Sequence, residues 1–254
     1  MLSDAILPPR RAATAQALAA QLQRQIDHAR CRLSACRPPP VSTGCPALDA
    51  LFPGGGIRAG VLVEWIGEEA GSGAGTLALA VGQVVAGPDR PRVLIDPQHE
   101  LFPLGLAAWG VDLAKTVFVR PGNAQEALWA CETALRWAGV GLVWARLGRV
   151  GPLPLRRLQL AAEQSGGVGF LVRPACVLGE PSWAEVRLRV RPRLAAGGML
   201  KWRVEVVCGR GAGRLREAEV QLAPASSLLD EGDGATTPTG LRVVPGLADP
   251  AATS

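Results

Sequence analysis

A glycine-rich segment, residues 67–76, lies between a short apolar run and a helical pattern. Loops in this position commonly bind phosphate. In such a loop the backbone amides surround the phosphates, a lysine contacts the terminal phosphates, and a serine or threonine hydroxyl holds Mg²⁺. Here Ala74 stands at the lysine position and Gly75 at the hydroxyl position. The residues that would still form the phosphate-binding loop are Gly67, Gly71, Ser72, Gly73, Gly75 and Thr76.

The spacing of the loop also departs from the usual pattern, because Gly67 lies one residue too far from Gly73 and Thr76 comes one place late. Loss of a charge-assisted contact costs roughly 1.5–3 kcal/mol of binding. Loss of the same contact from a transition state costs at least as much again in rate. We therefore expect no enzyme activity, no catalytic residue and no cofactor, while the loop amides still suit an anion. Weak nucleotide binding at a vestigial site stays open.

The elements that position this loop alternate along the chain. Apolar strands and amphipathic helices follow one another from the loop onward, which predicts an α/β fold with a mostly parallel sheet covered on both faces. The predicted strands are residues 61–66, 92–96, 116–119, 140–145 and 167–172. The predicted helices are residues 76–86, 104–110, 125–138 and 155–165, and Trp65, Trp109, Trp129, Trp137 and Trp144 are expected in the core.

Three later segments, residues 183–193, 201–208 and 216–222, alternate between apolar and charged residues. Such alternation is typical of strands with one solvated face. They predict an antiparallel extension of the sheet near the C-terminus. Arg187, Arg189 and Arg191 share the polar side of the first segment and are candidates for binding a partner, while a solvated face balanced by Glu185 and Glu205 is the alternative.

The two ends of the chain differ from this core. Residues 10–34 predict a helix whose apolar stripe includes Leu18, Leu22 and Ile26, and three prolines at 38–40 follow it. The stripe either packs on its own core or docks on another molecule. Beyond residue 222 a polar sequence predicts a disordered tail. We therefore divide the chain into an N-terminal helix with linker (1–40), a core (41–222) and a tail (223–254).

The composition excludes several classes of protein. The 254 residues are 48% hydrophobic and 19% charged with a net charge of +5, which indicates a globular, mildly basic protein. Six scattered cysteines without a CxxC pair, and only two histidines, predict no metal site. No apolar run approaches the about 20 residues of a membrane span, so we expect a cytoplasmic protein with no membrane contact.

Short stretches in order along residues 42–222 together resemble the RecA recombinase core. They are residues 42–44, 48–49, 54–56, 63–67, 94–103, 110–113 and 125–128. At the RecA catalytic glutamate this chain has Gln98, at the Walker B aspartate Trp144, and at the sensor Asn-Gln pair Arg173 and Pro174. The resemblance implies a RecA-like fold whose nucleotide chemistry is lost. Because both loops that correspond to RecA DNA-binding loops are short, it also implies weak or indirect DNA contact.

With a RecA-like core and altered nucleotide motifs, the chain is similar to the ImuA family. That resemblance implies a non-catalytic RecA-like accessory protein of error-prone translesion DNA synthesis within the SOS mutagenesis response. The implied partners are an ImuB-type relative of the Y-family polymerases, an error-prone C-family DNA polymerase, and RecA itself. Two alternatives remain: a RecA-superfamily ATPase with a divergent phosphate loop that uses Thr76 and Glu68, or a SulA-like regulator of cell division.

Overall fold

The structure is a computed structural model of the chain. It describes residues 38–68, 71–108, 111–193, 200–209, 216–222 and 241–242. The predicted N-terminal helix with Leu18, Leu22 and Ile26, and most of the predicted tail, lie outside the described residues. From Pro40 onward the described residues belong to one compact unit.

A single mixed sheet organises that unit. In chain order its strands are β1 (Leu62–Gly67), β2 (Arg92–Ile95), β3 (Thr116–Val119), β4 (Leu142–Arg146), β5 (Val168–Pro174), β6 (Val186–Arg193), β7 (Leu200–Gly209), β8 (Glu217–Leu222) and β9 (Leu241–Arg242). Their order across the sheet is β3-β2-β4-β5-β1-β6-β7-β8-β9. The strands from β3 to β6 in this order run parallel, and β7, β8 and β9 continue antiparallel. The predicted fold class is confirmed.

Helices cover both faces of the parallel part. They are α1 (Pro46–Asp49), α2 (Ala74–Ala86), α3 (Pro103–Ala108), α4 (Ala124–Arg136) and α5 (Pro152–Ser165). One core lies between the sheet and α2, and it includes Trp65, Phe170 and Trp144. The other lies between the opposite face and the pair α4 and α5. Because parallel strands are buried on both faces, their sequences are apolar throughout rather than alternating.

Local sequence explains where these helices begin. The Asn123 side chain caps α4 by accepting a 2.9 Å hydrogen bond from the Glu126 amide, and the Glu126 side chain accepts a 2.8 Å bond from the amide of Gly122, just before the cap. Helix α5 begins at Pro152, three residues before the predicted start. Proline is favoured in the first turn because its missing N–H has no helical partner there.

The chain enters the core through a turn that is built around Asp49. Oδ1 of Asp49 accepts hydrogen bonds of 2.7 Å from both the amide and the hydroxyl of Thr43. Oδ2 of Asp49 accepts a third bond, from the Ser42 hydroxyl. This gives a physical reason for the residues at 42–44 and 48–49: they fix the turn that precedes β1.

Two expectations about the sheet and its helices are wrong. Strand β6 is parallel to β1, so the antiparallel extension begins one strand later than predicted. Trp129 is 68% exposed because it lies on the outer side of α4, and Trp137 is 63% exposed because it lies just beyond the end of that helix. Trp65 and Trp144 are fully buried as expected, and Trp109 lies outside the described residues.

The region predicted as a C-terminal tail contributes a strand to the edge of the sheet. Leu241 and Arg242 pair antiparallel with Leu222 and Gln221 as strand β9, so part of the polar C-terminal region forms an edge strand. Within the described ranges, no helix has both the length and the apolar character needed to cross a lipid bilayer.

Candidate functional site

A cleft of about 670 Å³ opens at the carboxyl ends of β1, β4 and β5. This is where open α/β sheets bind ligands. All six residues predicted from the phosphate-loop pattern line this cleft: Gly67, Gly71, Ser72, Gly73, Gly75 and Thr76. Gln98, Glu100, Phe102, Trp144, Arg146 and Arg173 line the remaining walls. The loop predicted from the sequence thus lies at this cleft, and the fold adds residues from three other strand ends.

The backbone of the loop depends on glycine and on a tryptophan from a distant strand. Gly73 is the N-cap of α2 with φ near 77°, a left-handed conformation that glycine adopts without strain. A Cβ on Gly73 would lie 2.3 Å from Nε1 of Trp202 in β7. That indole nitrogen donates a 2.9 Å hydrogen bond to the carbonyl oxygen of Ser72. Trp202 therefore fixes the loop, and sequence reasoning missed it because nothing local links residues 73 and 202.

Trp144 is the third of the five residues of β4, at the position where the sequence comparison placed the Walker B aspartate. It is fully buried, and its ring atom Cζ2 lies 3.2 Å from the position that a Cβ on Gly75 would take. A serine or threonine at position 75 would therefore contact the indole ring more closely than most side chains pack. The two groups that would hold Mg²⁺ in a phosphate site are replaced by a packing contact between a glycine and a tryptophan.

The residues present do not fit a magnesium nucleotide. Ala74 supplies no cation, Gly75 and Trp144 supply no oxygen ligand for a hard metal, and Gln98 carries a neutral amide. Among the residues that the structure describes, no group of three metal-binding side chains occurs.

Charged side chains at the cleft are bound to one another. Glu68 of the loop pairs with Arg189 at 3.2 Å and with Arg191 at 2.9 Å. Across the mouth, Nη1 of Arg146 lies 2.8 Å from Oε2 of Glu100. Glu205 of β7 also pairs with Arg191, at 3.0 Å. The loop is thus fastened to β6 and β7, on the side of the sheet away from β4.

A buried ionic cluster lies next to this site. Glu64, fully buried in β1, accepts hydrogen bonds of 2.8 Å from Arg173 and 2.7 Å from Arg187. The Ser182 hydroxyl donates a third bond of 2.8 Å to Glu64. The remaining nitrogens of Arg187 donate to the carbonyl oxygens of Val177, Leu178 and Glu180.

The three arginines predicted as one partner-binding face are therefore divided. Arg187 is only 5% exposed and is wrong as a surface candidate, because β6 lies beside β1 and the polar side of that strand meets Glu64 rather than solvent. Arg189 and Arg191 are partly exposed and paired with Glu68 and Glu205.

The fold and this cleft define a RecA-like α/β protein: a parallel sheet in the order given above, with a glycine loop between β1 and α2. The chain is 34% identical to the protein RecA of Haemophilus ducreyi over 103 residues, which are 41% of this chain and 27% of that protein. A scan against protein-family models finds no match.

A longer similarity identifies the family. The chain is 31% identical over 233 residues to the protein ImuA of Caulobacter vibrioides, in strain NA1000 / CB15N and equally in strain ATCC 19089 / CB 15. That alignment covers 83% of this chain and 91% of the relative. The chain belongs to the ImuA family.

Proposed function

We propose that this protein is a non-catalytic, RecA-like accessory protein of error-prone translesion DNA synthesis. One observation carries the non-catalytic part: Trp144 and Gly75 pack together where a nucleotide-hydrolysing relative needs an aspartate and a hydroxyl. Membership of the ImuA family supports the part played in mutagenic DNA damage tolerance. On this proposal the nucleotide fold is retained as a rigid framework for assembling other proteins.

The partners proposed are an ImuB-type relative of the Y-family polymerases, an error-prone C-family polymerase, and RecA. Direct DNA contact is weak or indirect on this proposal. Its support is that arginines at the end of β4 and in the segment that follows are paired with acids: Arg146 with Glu100, Arg149 with Glu180, and Arg157 with Glu132. Arginines already bound to carboxylates neutralise fewer DNA phosphates. The loop between β4 and α5 is also short, since β4 ends at Arg146 and α5 begins at Pro152.

ATP turnover by the purified full-length chain tests the non-catalytic part. Phosphate release is measured with Mg²⁺ and in EDTA, for the native chain and for Thr76→Val. We expect no difference among these samples. Mg²⁺-dependent release from the native chain that disappears in Thr76→Val would overturn the proposal and favour the divergent ATPase, because Thr76 is the hydroxyl in the loop nearest to the expected position.

Partner capture in cells tests the accessory part. In three separate variants of the full-length chain, glutamate replaces Leu18, Leu22 or Ile26 of the predicted apolar stripe. The matched control is Gln25→Glu, which lies off the stripe. We expect the native chain and the control to retain a polymerase-like protein and the stripe variants to lose it. Capture of a division protein in place of a polymerase would contradict the proposal and favour the cell-division alternative.

A further inference from the structure

We propose that the groove between α4 and α5 binds a peptide segment of another protein, in which a large apolar side chain lies close to a carboxylate. This groove lies on the face of the sheet opposite α2, and the inference does not depend on the role in translesion synthesis. It rests on the size of the groove, on the exposed apolar side chains at it, and on the balance of charge at its rim.

The groove has room for one large side chain. Its volume is about 300 Å³. An apolar cavity of about 150 Å³ holds a benzene ring, so a leucine, phenylalanine or tryptophan side chain fits here. Leu158 lines the groove although it is only 1% exposed, which makes it part of the floor. The full lining is Gln125, Leu128, Trp129, Glu132, Pro154, Arg157 and Leu158.

Large apolar side chains lie exposed at the groove and beside it. Trp129 of α4 is 68% exposed, and Leu153 at the start of α5 is 78% exposed. Leu153, Arg157 and Leu160 follow one another at spacings of four and three, so the two leucines share the side of α5 that reaches the groove. Single exposed apolar residues are ordinary, whereas a cluster of them that includes a tryptophan is typical of binding surfaces.

The charge at the rim favours an acidic partner. Glu132 pairs with Arg136 through Oε1 and with Arg157 through Oε2. The side chain of Glu132 is only 9% exposed, while those of Arg136 and Arg157 are 61% and 65% exposed. Two accessible guanidinium groups therefore share one shielded carboxylate, which leaves an excess of one positive charge at the rim. A carboxylate of the partner would balance that charge.

The other acids of these two helices do not line the groove, and each already binds a group of the chain. Glu126 accepts hydrogen bonds from the Gly122 amide and the Asn123 side chain at the start of α4. Glu163 accepts one from the Gln159 side chain on α5. An excess of one positive charge beside apolar walls suits a peptide with one acidic residue, whereas a nucleic acid needs many cations along its backbone.

A display library of random dodecapeptides tests the proposal, with the purified full-length chain as the bait. Peptides that also bind Trp129→Ala are removed, so those that are sequenced depend on the groove. We expect them to share a leucine, phenylalanine or tryptophan with an aspartate or glutamate within one helical turn of it. Their affinity should fall as the salt concentration rises, because the ion pair with the exposed arginines is screened.

Variants then separate the groove from general binding, with affinities measured by fluorescence anisotropy of a labelled selected peptide. Leu153→Ser and Arg157→Gln should each weaken binding about tenfold or more, and Glu132 keeps Arg136 as its partner in the second variant. Trp137→Ala removes a similarly exposed tryptophan that does not line the groove, and it should leave the affinity unchanged. Circular dichroism checks that each variant is folded.

Four outcomes would overturn the proposal. Three concern the peptides: selection of none that depend on Trp129, selected peptides without an excess of acidic residues, or an affinity that Arg157→Gln leaves unchanged. The fourth concerns a second copy of the chain. Self-association of the native chain that Trp129→Ala abolishes, measured by analytical ultracentrifugation, would assign the groove to contact between two copies instead.

Discussion

Oε2 of Glu64 accepts a 2.7 Å hydrogen bond from Nε of Arg187, although the two residues lie 123 positions apart in the chain. The same carboxylate bridges to Arg173, so one fully buried acid joins the three adjacent strands β5, β1 and β6. Arg187 also holds carbonyl oxygens of the segment that follows β5. The cluster thus fixes the wall of the cleft, where Arg173 lies, to the centre of the sheet.

Removing the charge of Glu64 should be strongly destabilising. Glu64→Gln removes the carboxylate bound to Arg187 and the nearer of the two bound to Arg173, and breaking a buried pair in this way costs about 3–5 kcal/mol. Urea unfolding followed by circular dichroism measures the change. The control is Glu219→Gln, which breaks a partly exposed pair with Lys201 and should cost less than about 1 kcal/mol. A loss for Glu64→Gln no larger than that of the control would show that the cluster does not hold the sheet.

Gly75 and Trp144 should be energetically coupled. Gly75→Ser adds atoms against the indole ring, and overpacking of this kind costs about 1–3 kcal/mol. In a Trp144→Ala background the same substitution should cost clearly less, with a coupling energy of about 1 kcal/mol or more. Gly148→Ser is the control, since nothing lies within 4 Å of its added Cβ. Equal costs of Gly75→Ser in the two backgrounds would refute the contact.

Trp202 should stabilise the glycine loop through its indole nitrogen. Trp202→Phe keeps most of the ring but removes the hydrogen bond to the Ser72 carbonyl, and the loss should be about 1–3 kcal/mol. Amide hydrogen exchange at the start of α2 should also become faster. Trp129→Phe removes an exposed indole and should change stability by less than about 0.5 kcal/mol. If loop exchange is the same in both variants, the bond is not what orders the loop.

The cysteines should differ sharply in reactivity. Burial raises the pKa of the Cys131 thiol from 9.0 to about 12, and burial also raises the pKa of Cys45. Because the thiolate is the reactive form, both should resist a maleimide at pH 8. Cys176 and Cys208 are exposed and should react within minutes. Peptide mass spectrometry after timed labelling checks this, and early modification of Cys131 in the folded chain would contradict its burial.

The same thiol predicts a loss of stability in alkali. The unfolded chain releases the Cys131 proton near pH 9.0, while the folded chain holds it until about 12. The folded state therefore binds more protons between these values, and the free energy of unfolding should fall as the pH rises from 9 to 12. Urea unfolding at pH 8 and pH 10.5 measures the slope, which should be smaller in Cys131→Ala and unchanged in Cys176→Ser. A slope unaffected by Cys131→Ala would assign the effect to other groups.

The alternation of elements was predictable from sequence because it is local. Hydrophobic periodicity and glycine placement reveal strands and helices a few residues at a time, and the predicted strand at residues 116–119 matches Thr116–Val119 in the structure. The glycine loop was equally visible, since its glycines lie close together in the sequence between a predicted strand and a predicted helix. Replacement of the lysine, the hydroxyl residue and the acidic residues of the phosphate site was also visible in the sequence.

Tertiary structure decided which residues meet. Alternation along β6 assigned Arg187 to the polar side, but only strand order reveals that this side faces Glu64 of β1. Helical periodicity did not exclude Trp129 from the core, yet the packing of α4 leaves it outside. The contacts of Trp144 with Gly75 and of Trp202 with Gly73 join residues 69 and 129 positions apart. Such pairs arise from the register of distant strands, which no local pattern encodes, because side-chain burial depends on what the completed sheet places next to each residue.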